Sequence, residues 1–183
     1  MVSDIQAKCV ESYRRIKNLK LVAEEIGIPW QTVYVHLRAV GEPVTGDKSR
    51  YGSDKDRLAA RAERIFSQYV PEAVNQNDFE FQAKVDFKVG PYAVDIKSSK
   101  WRDNRFCFSL KKQELVADFF VCFAFHDDGR FHVLAVPGEL CRFMQSISLS
   151  TLTRSRWWDF EIEPEELSDF FKQVQRADEE KAA

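Results

Sequence analysis

Between residues 79 and 89 apolar and polar side chains alternate: Phe79, Phe81, Ala83, Val85, Phe87 and Val89 fall on one face, Glu80, Gln82, Lys84, Asp86 and Lys88 on the other. A period of two marks a strand with one buried face. Residues 92–98 repeat the pattern, Tyr92, Val94 and Ile96 interleaving with Ala93, Asp95 and Lys97. Gly90-Pro91 between the two runs suits a two-residue hairpin turn, with glycine where the backbone needs a positive φ. Such a turn sets the register: Val89 faces Tyr92, so Asp86 faces Asp95, their Cβ atoms about 5 Å apart on one side of the hairpin. Lys97, two residues beyond Asp95, points the same way.

Elsewhere the period changes. Residues 54–69 carry Leu58, Ala62, Ile65, Phe66 and Tyr69 along one face of a predicted helix, with Ser53 as its N-cap. Residues 106–110, 119–125 and 131–136 read as strands, the last two rich in Phe and Val as a buried central sheet demands. Residues 111–116 read as a short helix or helical turn, with Lys111 and Gln113 as polar positions after a strand. A helix over 165–176 buries Leu167, Phe170, Phe171 and Val174, and 177–183 is expected to fray as a disordered tail.

The front of the chain has its own pattern. Leu19-Lys-Leu21-Val22-Ala23-Glu24-Glu25-Ile26-Gly27-Ile28-Pro29-Trp30 followed by Gln31-Thr32-Val33-Tyr34-Val35-His36-Leu37 resembles a helix-turn-helix. Ala23 allows close helix approach, Gly27 permits the tight turn, and Val22, Ile26, Ile28, Val33 and Leu37 make a small core. Pro29 suits the first turn of the second helix, where a missing N–H costs nothing. The resemblance implies a recognition helix over 30–40, with Trp30, Gln31, Thr32, Tyr34 and Arg38 facing DNA and His36 beside them; a three-helix protein-interaction module is the alternative. Residues 1–41 then form a small all-α domain, 42–53 a linker rich in Gly and polar residues, and 54–176 a second domain.

Two aspartates facing each other destabilise a sheet unless solvent or neighbouring lysines screen them, one is protonated, or a cation lies between them. The arrangement of Asp86 on one strand, then Asp95-Ile96-Lys97 and Ser98-Ser99 on the next, resembles the PD-(D/E)XK nuclease superfamily, although Val85 stands where that family's motif has proline. The resemblance spans about residues 54–140 and implies a restriction-endonuclease-like α/β fold, a mixed central sheet flanked by helices. It implies Mg²⁺, replaceable by Mn²⁺, held by Asp86, Asp95 and the carbonyl of Ile96, with Lys97 positioning or activating water. It also implies an acidic residue on the preceding helix, here Glu63, whose other reading is a surface partner of Arg57 or Arg61.

Composition narrows the setting. The 183 residues, 44% hydrophobic and 13% aromatic, suffice for one sizeable core and a small helical module. No apolar run is long enough to span a bilayer and no secretory leader is apparent, so a cytoplasmic protein without a membrane partner is expected. Cys9, Cys107, Cys122 and Cys141 show no metal spacing and read as buried, reduced thiols; His126 and His132 flank a turn without companion ligands in the sequence. The net charge of −2 argues against simple DNA coating, yet residues 1–112 hold 20 Lys plus Arg against 15 Asp plus Glu, and 113–183 hold 7 against 14. A basic cluster, Lys100, Arg102 and Arg105 around Trp101, follows the aspartates on an expected loop suited to phosphates. The expectation is a metal-dependent endonuclease of restriction or mobile-element type acting on double-stranded DNA as a homodimer. Its alternatives are a helix-turn-helix regulator with a non-catalytic nuclease-like domain, or a Holliday-junction-type resolvase.

Overall fold

The computed structural model describes residues 3–44, 52–79, 83–110 and 117–182. The chain divides into two compact units, Met1–Arg57 with Asn75–Ala83, and Leu58–Val74 with Lys84–Ala183.

In the first unit three helices, α1 (Asp4–Ile16), α2 (Leu19–Ile26) and α3 (Trp30–Ala39), bury Cys9, Tyr13, Val22, Val33 and Leu37. Each start has a visible cause. Ser3 and Gln6 exchange hydrogen bonds as a capping box on α1, and the Asn18 side chain accepts from Lys20 and Leu21 at the head of α2. Gly27, at φ +77°, closes α2 in the left-handed region, its N–H donating to the Ala23 carbonyl. The linker expected from residue 42 starts later: Glu42 is buried and takes a two-toothed bond from Arg14, and Val44 packs on the helical core. Its charged neighbours give a polar composition, but the ion pair holds the segment to α1. Residues 45–51 of that linker lie outside the described residues.

The second unit is mixed α/β. A five-stranded sheet runs β1 (Val74–Asn75), β2 (Phe87–Val89), β3 (Tyr92–Lys100), β5 (Phe119–Phe125) and β6 (Phe131–Pro137). β4 (Arg105–Ser109) pairs with β7 (Ser146–Ser150) in a separate two-stranded sheet. β3 is antiparallel to β2 and parallel to β5, which is antiparallel to β6. Every residue of β5 is buried, as a central strand covered on both faces must be. Its odd positions, Phe119, Val121, Phe123 and Phe125, pack with Ala62 and Phe66 of α4 (Asp54–Tyr69) and Leu167 and Phe171 of α5 (Leu167–Ala182). Its even positions, Phe120, Cys122 and Ala124, pack with Phe106, Phe108, Ile147 and Leu149 of the second sheet.

The expected mixed α/β sheet with flanking helices is therefore present, and among the described residues helices cover one face and β4–β7 covers the other. Residues 111–116, with Lys111 and Gln113, lie outside the described residues. Of the strand expected over 79–89, residues 80–82 lie outside the described residues, and among the rest only Phe87–Val89 is strand. A 3-10 turn at Gln76–Asp78 precedes an exposed Phe79, and a bend at 84–86 sends Val85 to the opposite core from Phe87. The expected tail is helical to Ala182, where Tyr92 donates to Asp178 at 2.7 Å and Gln175 to Glu179 at 2.9 Å. Cys107 is exposed, on the outward side of β4, whereas the other three thiols are buried.

Gly138, after β6, has no room for a side chain: a Cβ there would lie 2.1 Å from the Ala117 carbonyl oxygen, beside the hydrogen bond from Gly138 N–H to Asp118. Gly138→Ala is expected to destabilise the chain by about 3 kcal/mol in urea denaturation, since backbone rather than a flexible side chain must yield.

Candidate metal and nucleic-acid site

The turn at Gly90, φ +56°, pairs Val89 with Tyr92, Lys88 with Ala93 and Phe87 with Val94. The next step of that register sets Asp86 against Asp95. Asp86 sits in the bend before β2 and reaches across to accept from the Ile96 N–H at 2.8 Å. β2 begins at Phe87, so beyond Val94 this edge of β3 has a side chain where a ladder partner would be. An extended residue directs its N–H and C=O to one edge, so the Ile96 carbonyl lies on the Asp86 side as well.

Val94 and Ile96 face the helical core, which leaves Asp95 and Lys97 on the face towards β4–β7. There Lys97 Nζ meets Asp95 Oδ2 at 2.5 Å, and the same ammonium lies 6.0 Å from the centre of the Phe120 ring. Lys97 and Asp95 are each about four-fifths buried. The Asp86 carboxyl is pushed up to about 7, first by burial, then by its hydrogen bond with Asp95 and that group's charge, with a smaller push from the charge of Glu63; the Ile96 N–H pulls the other way. Three of the sequence-predicted residues are therefore brought together, Asp86, Asp95 and Lys97, with the Ile96 backbone at the same place. Glu63 is half-buried on α4 and reaches Asp86 through its field, while its own carbonyl accepts from Ser67. Phe120 and Cys122, the floor under Lys97, were not singled out from the sequence; their signal is the even-numbered face of β5.

Two hard carboxylates and a carbonyl fit a hard cation such as Mg²⁺, which prefers oxygen ligands and keeps waters for its other positions. Among the described residues no group of three or more His, Cys, Asp or Glu side chains is arranged to hold a metal ion, so two side chains and a backbone oxygen are what the chain contributes here.

Beyond β3 the basic cluster is a tight turn rather than a loop. Asp103 and Asn104 take φ of 50° and 60°, and Arg102 and Arg105 exchange both backbone hydrogen bonds across them. Lys100, Trp101, Arg102 and Arg105 are exposed on it. Arg156, exposed at the start of a 3-10 turn, stacks over the buried Trp157 at 4.3 Å.

In the first unit Trp30, Gln31, Tyr34 and Arg38 are exposed on α3, whereas Thr32 and His36 are half-buried. Val35 is also exposed, and Arg38 donates to the Tyr34 hydroxyl at 3.3 Å. A scan against protein-family models matches none of them, and a search of curated proteins returns no match. No helix among the described residues is long and apolar enough to cross a membrane.

Proposed function

We propose that this protein is a Mg²⁺-dependent DNA endonuclease whose site is Asp86, Asp95, the Ile96 carbonyl and Lys97, with Glu63 adjusting the field. One observation carries the reading: Asp86 and Asp95, both largely withdrawn from solvent, act on each other's charge with the Lys97 ammonium beside them. A sheet gains nothing from such a pair, and burying like charges costs stability unless a ligand is bound there. The spacing Asp-x-Lys on the strand facing Asp86 supports the nuclease reading over other metal chemistry.

Asp86, Asp95 and the Ile96 carbonyl would hold the ion, which when bound lowers the pKa of a coordinated water and offsets charge on the scissile phosphate. Lys97, fixed by Asp95 and the Phe120 ring, presents its ammonium where negative charge builds up during phosphoryl transfer or where a water is to be oriented. Lys100 at the end of β3, Arg102 in the turn and Arg105 at the start of β4 would meet backbone phosphates. The exposed side of α3, with Trp30, Gln31, Tyr34 and Arg38, supplies docking on duplex DNA. One such site cuts one strand, so a double-strand break calls for a homodimer or two successive events.

The direct test is incubation with supercoiled plasmid and linear DNA in Mg²⁺, Mn²⁺ or EDTA. Metal-dependent nicking supports the endonuclease; binding without products in any metal favours a regulator with an inert second domain, and strong preference for four-way junctions favours a resolvase. Arg38→Ala is expected to weaken duplex binding by about 1–3 kcal/mol in a fluorescence titration, with the fold unchanged, as loss of a base or phosphate contact does.

The ion should also displace a proton. Because Asp86 is held up to about 7, it is largely protonated at pH 6 and ionised at pH 9. Calorimetry in buffers of different ionisation enthalpy is expected to show proton release on Mg²⁺ binding at pH 6 and none at pH 9. Equal heats in all buffers at pH 6 would remove Asp86 from the ligand set.

A further inference from the structure

At the far end of β5 from Phe120 a second group of titratable side chains meets. His132 Nε2 lies 3.1 Å from His126 Nε2, and His132 Nδ1 lies 2.6 Å from Glu161 Oε1. The sequence separates Glu161 from His132 by 29 residues, which is why neither histidine shows a companion there. An isolated bridge between Leu134 and Glu161, and a bond from Ile162 N–H to Val133, bring that carboxylate alongside β6.

The rings are held. The Phe106 ring packs edge-on to His126 at 5.1 Å, and Trp158 packs against His132 at 5.0 Å, itself tied by its indole N–H to the Ser150 carbonyl at 2.9 Å. His126 N–H donates to the Arg130 carbonyl at 2.8 Å, closing the turn between the strands. Both rings border a depression of about 560 Å³ lined also by Asp128, Arg130 and Phe131.

We propose that His126 and His132 form a two-imidazole binding site for a divalent transition metal ion of the Zn²⁺, Ni²⁺ or Cu²⁺ class, with Glu161 as its positioning residue. The Glu161 carboxylate accepts the Nδ1–H of His132 and so leaves the Nε2 lone pair of that ring free. That nitrogen lies beside the other Nε2. Two nitrogens about 2.0–2.1 Å from one ion, at angles between square and tetrahedral, stand about 2.9–3.4 Å apart, and 3.1 Å falls inside that range. Without the ion one Nε2–H bridges the gap as a hydrogen bond. With it, His126 carries its proton on Nδ1 instead and both Nε2 atoms become donors, with no net loss of a proton. A carboxylate on the far nitrogen of a metal-binding imidazole fixes the ring and raises its basicity. Imidazole donors select borderline transition ions over Mg²⁺ and Ca²⁺, so this site and the aspartate pair would take different metals. Asp128 and Arg130 form an ion pair at 2.7 Å on the rim of the depression and so add no net charge to it, and the remaining positions would belong to water.

The experiment is titration of the full chain with ZnCl₂ and NiCl₂ by calorimetry, alongside His126→Gln, His132→Gln, Glu161→Gln and an Asp86→Asn/Asp95→Asn double variant. One equivalent is expected to bind the wild-type chain and the aspartate variant alike. Binding should fall at least tenfold in each histidine variant, and about 10–100-fold in Glu161→Gln. Nitrogen hyperfine structure from two equivalent imidazoles in the Cu²⁺ resonance spectrum of the wild-type chain would support the assignment with no substitution at all. No binding tighter than about 1 mM, affinity unchanged in both histidine variants, or a Cu²⁺ spectrum without nitrogen coupling overturns it. Survival of this site does not depend on whether the aspartate pair is a nuclease.

Discussion

Lys97→Met is expected to slow Mg²⁺-dependent plasmid cleavage by about 10²–10³-fold, the usual cost of removing one donor aimed at developing charge. The methionine stem can still lie against the Phe120 ring, so β3 and its neighbours should keep their packing and the far-ultraviolet spectrum should not change. What disappears is the ammonium 2.5 Å from Asp95, the cation that faces the aspartate pair. Its removal leaves more negative charge around the carboxylates, and Mg²⁺ should bind the variant as tightly as the wild-type chain or more tightly. Slower cleavage together with undiminished metal affinity therefore separates a role in the chemistry from one in holding the ion. Cleavage at the wild-type rate in single-turnover assays would sink the assignment of Lys97, and weaker metal binding would make it a structural prop.

The parts of the molecule that the sequence displays best are those governed by local periodicity. Helix α4 falls at Asp54–Tyr69, where the apolar spacing and Ser53 place it, and Ser53 does exchange bonds with Asp56 at its start. The Gly90-Pro91 turn has the register that its two-residue length dictates, and through it the chain announces that Asp86 and Asp95 meet. Less legible is whatever rests on tertiary packing. Phe79 continues an alternating pattern yet is exposed, directly after the 3-10 turn at Gln76–Asp78, and a bend at 84–86 re-aims Val85. β7, Ser146–Ser150, is rich in serine and gives a weak signal, but its Ile147 and Leu149 close the core behind the site by pairing with β4. The tail carries three acidic residues and reads as soluble fringe, whereas helical propensity and the bond from Tyr92 to Asp178 extend α5 through it. The Glu161 partner of His132 arrives through a single β-bridge, and no local pattern encodes that meeting.

Asp86→Asn is expected to stabilise the folded chain at pH 8 by on the order of 2 kcal/mol while abolishing Mg²⁺-dependent cleavage. Asp86 titrates near 7 in the folded chain against 3.8 for an unperturbed aspartate. The folded state thus keeps a proton that the unfolded chain has released. Any stability linked to this group is fully present below pH about 4 and drains away as pH rises through about 7, because above that value a second buried carboxylate must ionise beside Asp95. Asparagine removes the charge but retains the contacts: its amide oxygen can accept from the Ile96 N–H, which Asp86 receives at 2.8 Å, and its NH₂ can donate to Asp95. Thermal melts should show the variant above the wild-type chain at pH 8 and the two converging towards pH 4. Added Mg²⁺ should then raise the wild-type melting point at pH 8 and leave the variant nearly unmoved, since an ion that binds only the folded state adds stability in proportion to the logarithm of its saturation. A variant equally destabilised at both pH values would mean that Asp86 serves the fold through its hydrogen bond alone. A gain at pH 8 paired with loss of the Mg²⁺ response would mean that the chain tolerates an unfavourable carboxylate pair at the one place where a cation can relieve it.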